Sequence, residues 1–234
     1  MCSLHFISHP VKTINGIITV PGDKSISHRS IILGAIAKGT SRVSGFLEGD
    51  DCIATVNAFK SMGVVIEGPN DQEVIIHGVG KFGLKKLTNT IDCGNSGTSM
   101  RLLSGLLAAQ SFNSELTGDD SLKKRPMERV SRPLTQMGAL ISTAEGKPPL
   151  SIQGGQRLQG ITYEMPEASA QVKSCLILAG LYAQGETTII EPALTRDHTE
   201  NMLRAYSYPL TRSGNRITVN GKGEGVATTI NVPG

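Results

Sequence analysis

Three short segments place hydroxyl residues, glycines or other small residues, and a basic side chain at the entrance to an apolar run. They are Gly22 to Arg29 (GDKSISHR), Gly94 to Arg101 (GNSGTSMR) and Ala168 to Lys173 (ASAQVK). Read as turns that open helices, they offer free backbone N–H groups, small polar side chains and a Lys or Arg at a positive helix end. That combination is a ready anion pocket. Any one turn alone reads equally well as plain N-capping, by Ser27 or Thr98. Three of them around one end of a domain suit a ligand with several negative charges, phosphate or carboxylate. A fourth contribution comes from Leu122 to Met127 (LKKRPM), where Pro126 suits a first helical turn and Arg125 stands at its mouth. Arginine favours bidentate binding of such groups, whereas Lys123 and Lys124 read as solvated surface. His28 and His198 lie beside these turns, each open between a hydrogen-bonded structural imidazole and a catalyst. Cys93 has nothing adjacent that would activate it and reads as structural. No Gly-x-x-x-x-Gly-Lys-Ser/Thr pattern occurs, and Gly78 to Gly83 (GVGKFG) matches Gly-x-Gly-x-x-Gly in letters only, with no apolar helical run after it, so ATP and dinucleotides are not indicated.

The elements that must position these turns recur three times, at a spacing of roughly 70–75 residues. Apolar helices follow the turns over Ile31 to Ala37, Leu102 to Ala109 and Cys175 to Ala183. Each gives way to a short β-rich stretch and an acidic turn: Gly49-Asp50-Asp51, Gly118-Asp119-Asp120 and Arg196-Asp197-His198. A second, amphipathic helix comes next, ending in Met62-Gly63 and Met137-Gly138 in two copies, the expected glycine stop. Hairpins close the copies: Val64–Ile66 with Val74–His77, Ala139–Ser142 with Leu150–Gln153, and Tyr208–Thr211 with Arg216–Val219. The period reads strand-helix-strand-helix-strand-strand. The first helices are apolar nearly all round and should be buried on every side, while the second helices carry polar faces and should lie outside. The fold class expected is therefore α/β (α+β), three βαβαββ repeats around shared buried helices.

Composition narrows the function classes. The chain has 234 residues with 38% hydrophobic and 18% charged residues, which excludes a disordered protein. A net charge of +3, with four Tyr, five Phe and no Trp, argues against nucleic acid as a partner. No run approaches the roughly 18 apolar residues of a membrane helix, and Met1 to His5 shows no secretory leader. Cys2, Cys52, Cys93 and Cys175 are scattered without zinc-site spacing, so reduced thiols and a cytoplasmic location are expected. The 27 glycines exceed the usual share of about 7%, which points to tight turns or backbone-lined sites.

At these residues the chain resembles the 5-enolpyruvylshikimate-3-phosphate synthase family. Pro21 to Ser30 (PGDKSISHRS) is similar to its first signature, Asp92 to Leu102 (DCGNSGTSMRL) to its second and Arg125-Pro126-Met127 to its third. Ala168 to Lys173 and Arg196 to Glu200 (RDHTE) resemble its class II branch, and the match runs through almost the whole chain in order. The resemblance implies transfer of an enolpyruvyl group from phosphoenolpyruvate to the 5-hydroxyl of shikimate 3-phosphate, by addition and elimination, without cofactor or metal. By the same resemblance, Lys24, Ser25, Arg29, Ser169, Ala170, Gln171 and Arg196 hold shikimate 3-phosphate. Lys24, Gly97, Arg125 and Gln171 hold phosphoenolpyruvate, with Lys24 offsetting charge on the leaving phosphate. The family is the target of glyphosate. Gly97 stands where tolerant class II members typically carry alanine, so class II character does not imply tolerance.

The family's acidic proton-transfer groups lie in a second domain. The expected organisation is a leading segment, 1–20, that packs with that C-terminal domain, followed by an N-terminal substrate-binding domain over 21–234. Its repeats are about 21–90, 91–160 and 161–230. Thr19-Val20-Pro21-Gly22 precedes the first unit and Asn231-Val232-Pro233-Gly234 closes the chain, which reads as the repeat starting again. The chain is accordingly expected to be a monomeric fragment that binds shikimate 3-phosphate weakly, with negligible turnover. The alternatives are a relative of UDP-N-acetylglucosamine enolpyruvyl transferase, whose nucleophilic cysteine loop has no counterpart here, and a non-catalytic anion-binding module.

Overall fold

A computed structural model describes residues 6–87 and 89–234. Met1 to His5, on which the readings of Cys2 and of a leader fall, and Thr88 lie outside the described residues. The first unit comprises α1 (Lys24–Ile36), β1 (Ala37–Ser44), α2 (Asp50–Ser61), β2 (Val65–Asn70) and β3 (Glu73–Val79). The second runs β4 (Ile91–Asp92), α3 (Gly97–Leu107), β5 (Ser114–Thr117), α4 (Glu128–Gln136), β6 (Leu140–Ala144) and β7 (Lys147–Gln153). The third runs β8 (Thr162–Glu164), α5 (Ala170–Gly180), β9 (Glu186–Ile190), α6 (His198–Ala205), β10 (Leu210–Ser213) and β11 (Arg216–Asn220). Two short strands follow, β12 (Gly225–Val226) and β13 (Thr229–Asn231).

The three sheets share one topology. Their strand orders are β4-β5-β7-β6 and β8-β9-β11-β10 in units two and three, and β12-β1-β3-β2, with β13 also on β1, in unit one. In every sheet the first two strands are parallel and the rest antiparallel. Hairpin registers such as Ile66 opposite Ile76 and Ile141 opposite Ile152 turn apolar side chains onto one face. Unit one departs from the expected order. Residues 6–20 form no strand and are exposed, and the place beside β1 is taken by β12 and β13. Thr229–Asn231 thus pairs beside β1, and Asp23 N donates to Pro233 O at 2.8 Å. The backbone of β1 needs a parallel partner, and strand pairing is indifferent to which end of the chain provides it.

The first helices run through the middle. Every residue is buried from Ser27 to Ile36 in α1, from Ser99 to Leu107 in α3 and from Val172 to Gly180 in α5. The second helices bury only one face, as with Val130, Pro133 and Leu134 of α4. Their ends agree with the repeat. Gly63 (φ +86°) and Gly138 (φ +95°) take left-handed backbone after α2 and α4, and Ser207 (φ +62°) does the same after α6. In each case the next N–H reaches back to the helix: Val64 to Phe59, Ala139 to Leu134, Tyr208 to Leu203. The third copy thus keeps the cap geometry with a serine, a residue type that the Met-Gly pattern does not include.

The helix starts differ from the sequence expectation. The polar turns are themselves the first helical turns, beginning at Lys24, Gly97 and Ala170 instead of Ile31, Leu102 and Cys175. The caps are Asp23, Ser96 and Ser169, whose side-chain oxygens accept from Ile26 N at 2.8 Å, Ser99 N at 3.0 Å and Val172 N at 3.4 Å. Ser27 and Thr98 do not cap. Apolar periodicity hid these turns because their polar residues are buried against one another, and α1, α3 and α5 end one to three residues before the apolar runs do. Pro126 precedes α4 by two residues, and Arg125 follows a 3-10 turn over Leu122–Lys124. Among the described residues no helix is long and apolar enough to cross a membrane.

Candidate functional site

A cycle of buried and partly buried hydrogen bonds brings the three helix starts together. Between α1 and α3, His28 Nδ1 pairs with Thr55 Oγ1 at 2.8 Å, Thr55 with Ser99 Oγ at 2.6 Å, and His28 Nε2 with Ser96 Oγ at 3.4 Å. Between α3 and α5, Gln171 Nε2 donates to Thr98 Oγ1 at 2.9 Å while its Oε1 accepts from Arg101 Nη1. Between α5, α6 and α1, Arg29 donates to Ser174 Oγ at 2.8 Å and to Thr199 Oγ1 at 2.6 Å, and those two hydroxyls lie 2.6 Å apart. The positive ends of three central helices are thereby held side by side, with their first N–H groups at one face.

Of the residues expected from the sequence, Arg29 and Gln171 belong to this cycle, and several others stand at the helix starts that it joins. Lys24 and Ser25 are the first two residues of α1, Gly97 the first of α3, and Ala170 and Gln171 the first two of α5, with Ser169 as cap. Lys24 is half exposed and paired with Asp51 in the first turn of α2. Arg125 reaches back to Asn95 Oδ1, and Asn95 Nδ2 donates to Asp119 at 2.6 Å, so the third signature is tied to the second. Hydrogen bonds from Asn95 and from Leu122 N keep the Asp119 carboxyl below its ordinary range. A methyl group at Gly97 would sit 3.0 Å from Arg101 Nη1 and 3.2 Å from Arg125 Nη1. Two guanidinium groups converge on that spot, which only a residue without a side chain leaves open. Arg29 is 5% exposed, and three of its five donors hold Ser25 O, Ser174 and Thr199. Burial brings it down to about 10, against the pull of Glu200 and Asp23. Arg196 sits in the exposed loop before α6, outside the hydrogen-bonded cycle, and its charge acts on Arg29. Lys123 and Lys124 are exposed.

His28 is fully buried and His198 partly buried at the start of α6. Burial, and then the charge of Lys24, bring the His28 imidazole down to about 4 from 6.5, with Asp51 pulling the other way. The unfolded chain then binds a proton between those values that the folded chain does not. Stability is therefore expected to fall as pH drops from 6.5 to 4, by up to about 3 kcal/mol from this residue. Urea midpoints of the parent and His28→Asn across that window test it; parallel curves would refute the effect. Cys93 is buried and pushed up to about 12, by burial first and then by Asp92, which is the state of an inert thiol.

Three partners escaped the sequence reading. Asp51 belongs to an acidic turn whose nearness to Lys24 depends on α2 folding back across α1. Asn95 lies inside a quoted signature but gains its role from Arg125, 30 residues away. Arg101 is 9% exposed, with Nε unpartnered, and burial followed by Arg129 and Arg125 lowers it. The i,i+4 spacing from Gly97 was the available signal, because it places Arg101 on the helix face that Gly97 leaves open. Beside the cap of α5 lies a cavity of about 210 Å³ lined by Arg129, Arg132, Tyr163, Glu167 and Ser169. Another cavity, of about 650 Å³, lies over the second sheet against Leu87, Glu115, Ser142 and Gln153, and none of the expected site residues line it. Among the described residues no three His, Cys, Asp or Glu side chains gather to hold a metal ion.

Comparison with known proteins adds the following. A family model described as EPSP synthase (3-phosphoshikimate 1-carboxyvinyltransferase) matches residues 8–234. A 3-phosphoshikimate 1-carboxyvinyltransferase of Legionella pneumophila (strain Lens) is 66% identical over 231 residues, which is 99% of this chain and 53% of that protein. One from Methylococcus capsulatus is 59% identical over 229 residues, 97% of this chain and 52% of that protein. Among solved structures, EPSP synthase from Acinetobacter baumannii superposes with a TM-score of 0.91 at 60% identity, over 93% of this chain and 49% of the other. The chain thus spans about half the length of the relatives it matches.

Proposed function

The chain belongs to the EPSP synthase family, and from that premise we propose that it forms the shikimate 3-phosphate-binding half of an enolpyruvyl transferase. The family match also favours the shikimate enzyme over the related UDP-N-acetylglucosamine enolpyruvyl transferase. The observation that carries the reading is the cycle of hydrogen bonds that sets three helix N-termini and their cations at one face. Shikimate 3-phosphate and phosphoenolpyruvate are both anions of the kind such a face would bind. In this reading the α5 start, Ser169, Ala170 and Gln171, takes the phosphate and ring of shikimate 3-phosphate together with Ser25, Arg29 and Arg196. Gly97 and Arg125, with Gln171, receive phosphoenolpyruvate in the gap between the Arg101 and Arg125 guanidinium groups. Lys24 lies between the two ligands, exchanges Asp51 for substrate oxygens, and offsets charge on the departing phosphate. The proton transfers belong to acids that the family carries outside this half, so this chain binds substrate without turning it over.

Calorimetric titration with shikimate 3-phosphate is expected to give one saturable site per chain. Lys24→Ala, at a half-exposed position that packs little, should weaken it about tenfold or more, the loss of a charge-assisted contact, with an unchanged melting temperature. Absence of binding by the parent would refute the proposal, as would measurable enolpyruvyl transfer by this chain alone for the claim of inactivity.

A further inference from the structure

Behind the cycle lies a group of charges that the proposed chemistry does not use. Lys173 on α5, Glu191 just after β9 and Glu200 on α6 are fully buried, with Lys173 Nζ 2.6 Å from Glu200 Oε1 and 3.1 Å from Glu191 Oε1. Arg212 on β10 closes the group, 3.4 Å from Glu200 and 3.6 Å from Glu191. The charges balance, yet Lys173 Nζ, Glu191 Oε2 and Glu200 Oε2 have no directed hydrogen bond. Such a network is no better for stability than apolar packing would be, so its use must be sought in what it holds.

Glu191 holds a loop. Its Oε1 accepts from Thr195 N at 3.1 Å and from the Thr195 hydroxyl. Its main chain is pinned as well, because Glu191 O accepts from Asn215 Nδ2 at 2.7 Å and Glu191 N donates to Asn215 O at 2.9 Å. The residues between, Pro192 to Leu194, are exposed. The loop therefore stands clear of the body, fastened by the Glu191 side chain one residue before Arg196. Lys173, which steers that carboxylate, sits on α5 two residues after Gln171.

We infer that Glu191 is a positioning residue: it fixes the Thr195–Arg196 peptide so that the Arg196 guanidinium meets the same phosphate as the α5 N-terminus. Lys173 and Glu200 keep the Glu191 carboxylate in the accepting orientation. The physical need is clear. The helix start is rigid and Arg196 rides on a loop, so without a tether, ordering that loop would be charged against each binding event. The inference rests on Arg196 as a phosphate ligand, as proposed above.

A double-mutant cycle tests it, read by calorimetry with shikimate 3-phosphate and accompanied by thermal melts. Thr195→Val, at a partly exposed site, should fold as the parent does and bind several-fold more weakly, while Thr195→Ser restores binding. Glu191→Gln should lose about tenfold, the worth of a hydrogen bond to a charged acceptor. In an Arg196→Ala background neither change should cost more than about twofold, since each acts through Arg196. Fully additive losses, or a Thr195→Val chain that binds like the parent, would overturn the positioning role while leaving the site reading intact. A parent that does not bind, or an Arg196→Ala chain that binds like the parent, would remove the reading of the site and this inference with it. If Glu191→Gln fails to fold, the Thr195 arm decides alone.

Discussion

Gly105→Ala should destabilise the chain by about 3 kcal/mol or more, lowering the melting temperature by about 6–12 °C, the upper end of overpacking effects in a chain of this size. Gly105 lies in the middle of α3, where α5 crosses it. A methyl group there would sit 2.1 Å from Cys175 O and 3.1 Å from Cys175 Cα, both main-chain atoms of the other helix. The contrast with another helical glycine is instructive. At Gly34 the nearest atom to the added carbon would be Ile76 Cδ1 at 2.8 Å, the far end of a side chain and not main chain. At Gly105 the helices themselves must part, and the Gln171–Thr98 bond at their N-terminal ends parts with them. On the function proposed above, the change should also weaken binding of shikimate 3-phosphate at temperatures where the chain is still folded. Differential scanning calorimetry reads the first effect and titration the second. A Gly105→Ala chain as stable as Gly34→Ala would show that the crossing can open without loss.

Lys173→Met should cost about 3–5 kcal/mol, the penalty for breaking a buried ion pair by removing one partner. Two carboxylates with no exposure would lose the cation closest to both, keeping Arg212 at 3.6 Å from Glu191 and 3.4 Å from Glu200. The same reasoning predicts recovery. Lys173→Met combined with Glu200→Leu removes one charge of each sign, leaves Glu191 beside Arg212, and should regain most of the loss. Urea unfolding of the parent, the single and the double variant decides this. If the double variant is no better than Lys173→Met, the defect is one of packing and the charge account fails.

Much of the fold was legible because the repeat is written in elements of short range. Apolar runs over Ile31–Ile36 and Cys175–Gly180 announce central helices, Met-Gly announces two helix ends, and alternation such as Leu150 to Gln153 announces a hairpin strand. The caps were not legible. Asp23, Ser96 and Ser169 stand before polar first turns, and periodicity assigns polar residues to the surface unless their partners are known. His28, Arg29, Ser99 and Ser174 are all buried, against the sense of their side chains, because each finds its partner on another helix.

What the sequence determined by itself was therefore the unit and its chemical character: a small-residue, basic helix start, three times over, suited to anions. The resemblance of its signatures to those of a family added the expectation that Lys24, Gly97, Gln171 and Arg125 hold one ligand. Only the tertiary structure decided who meets whom. Arg29 finds Ser174 and Thr199 across separations of 145 and 170 residues, and β1 takes its parallel partner from residues 225–231 instead of from the strand expected before Asp23. The physical reason is common to these cases. Patterning along a chain records which side of an element faces inward, whereas a hydrogen bond between helices, or a strand laid beside another, depends on distances that exist only once the units are packed.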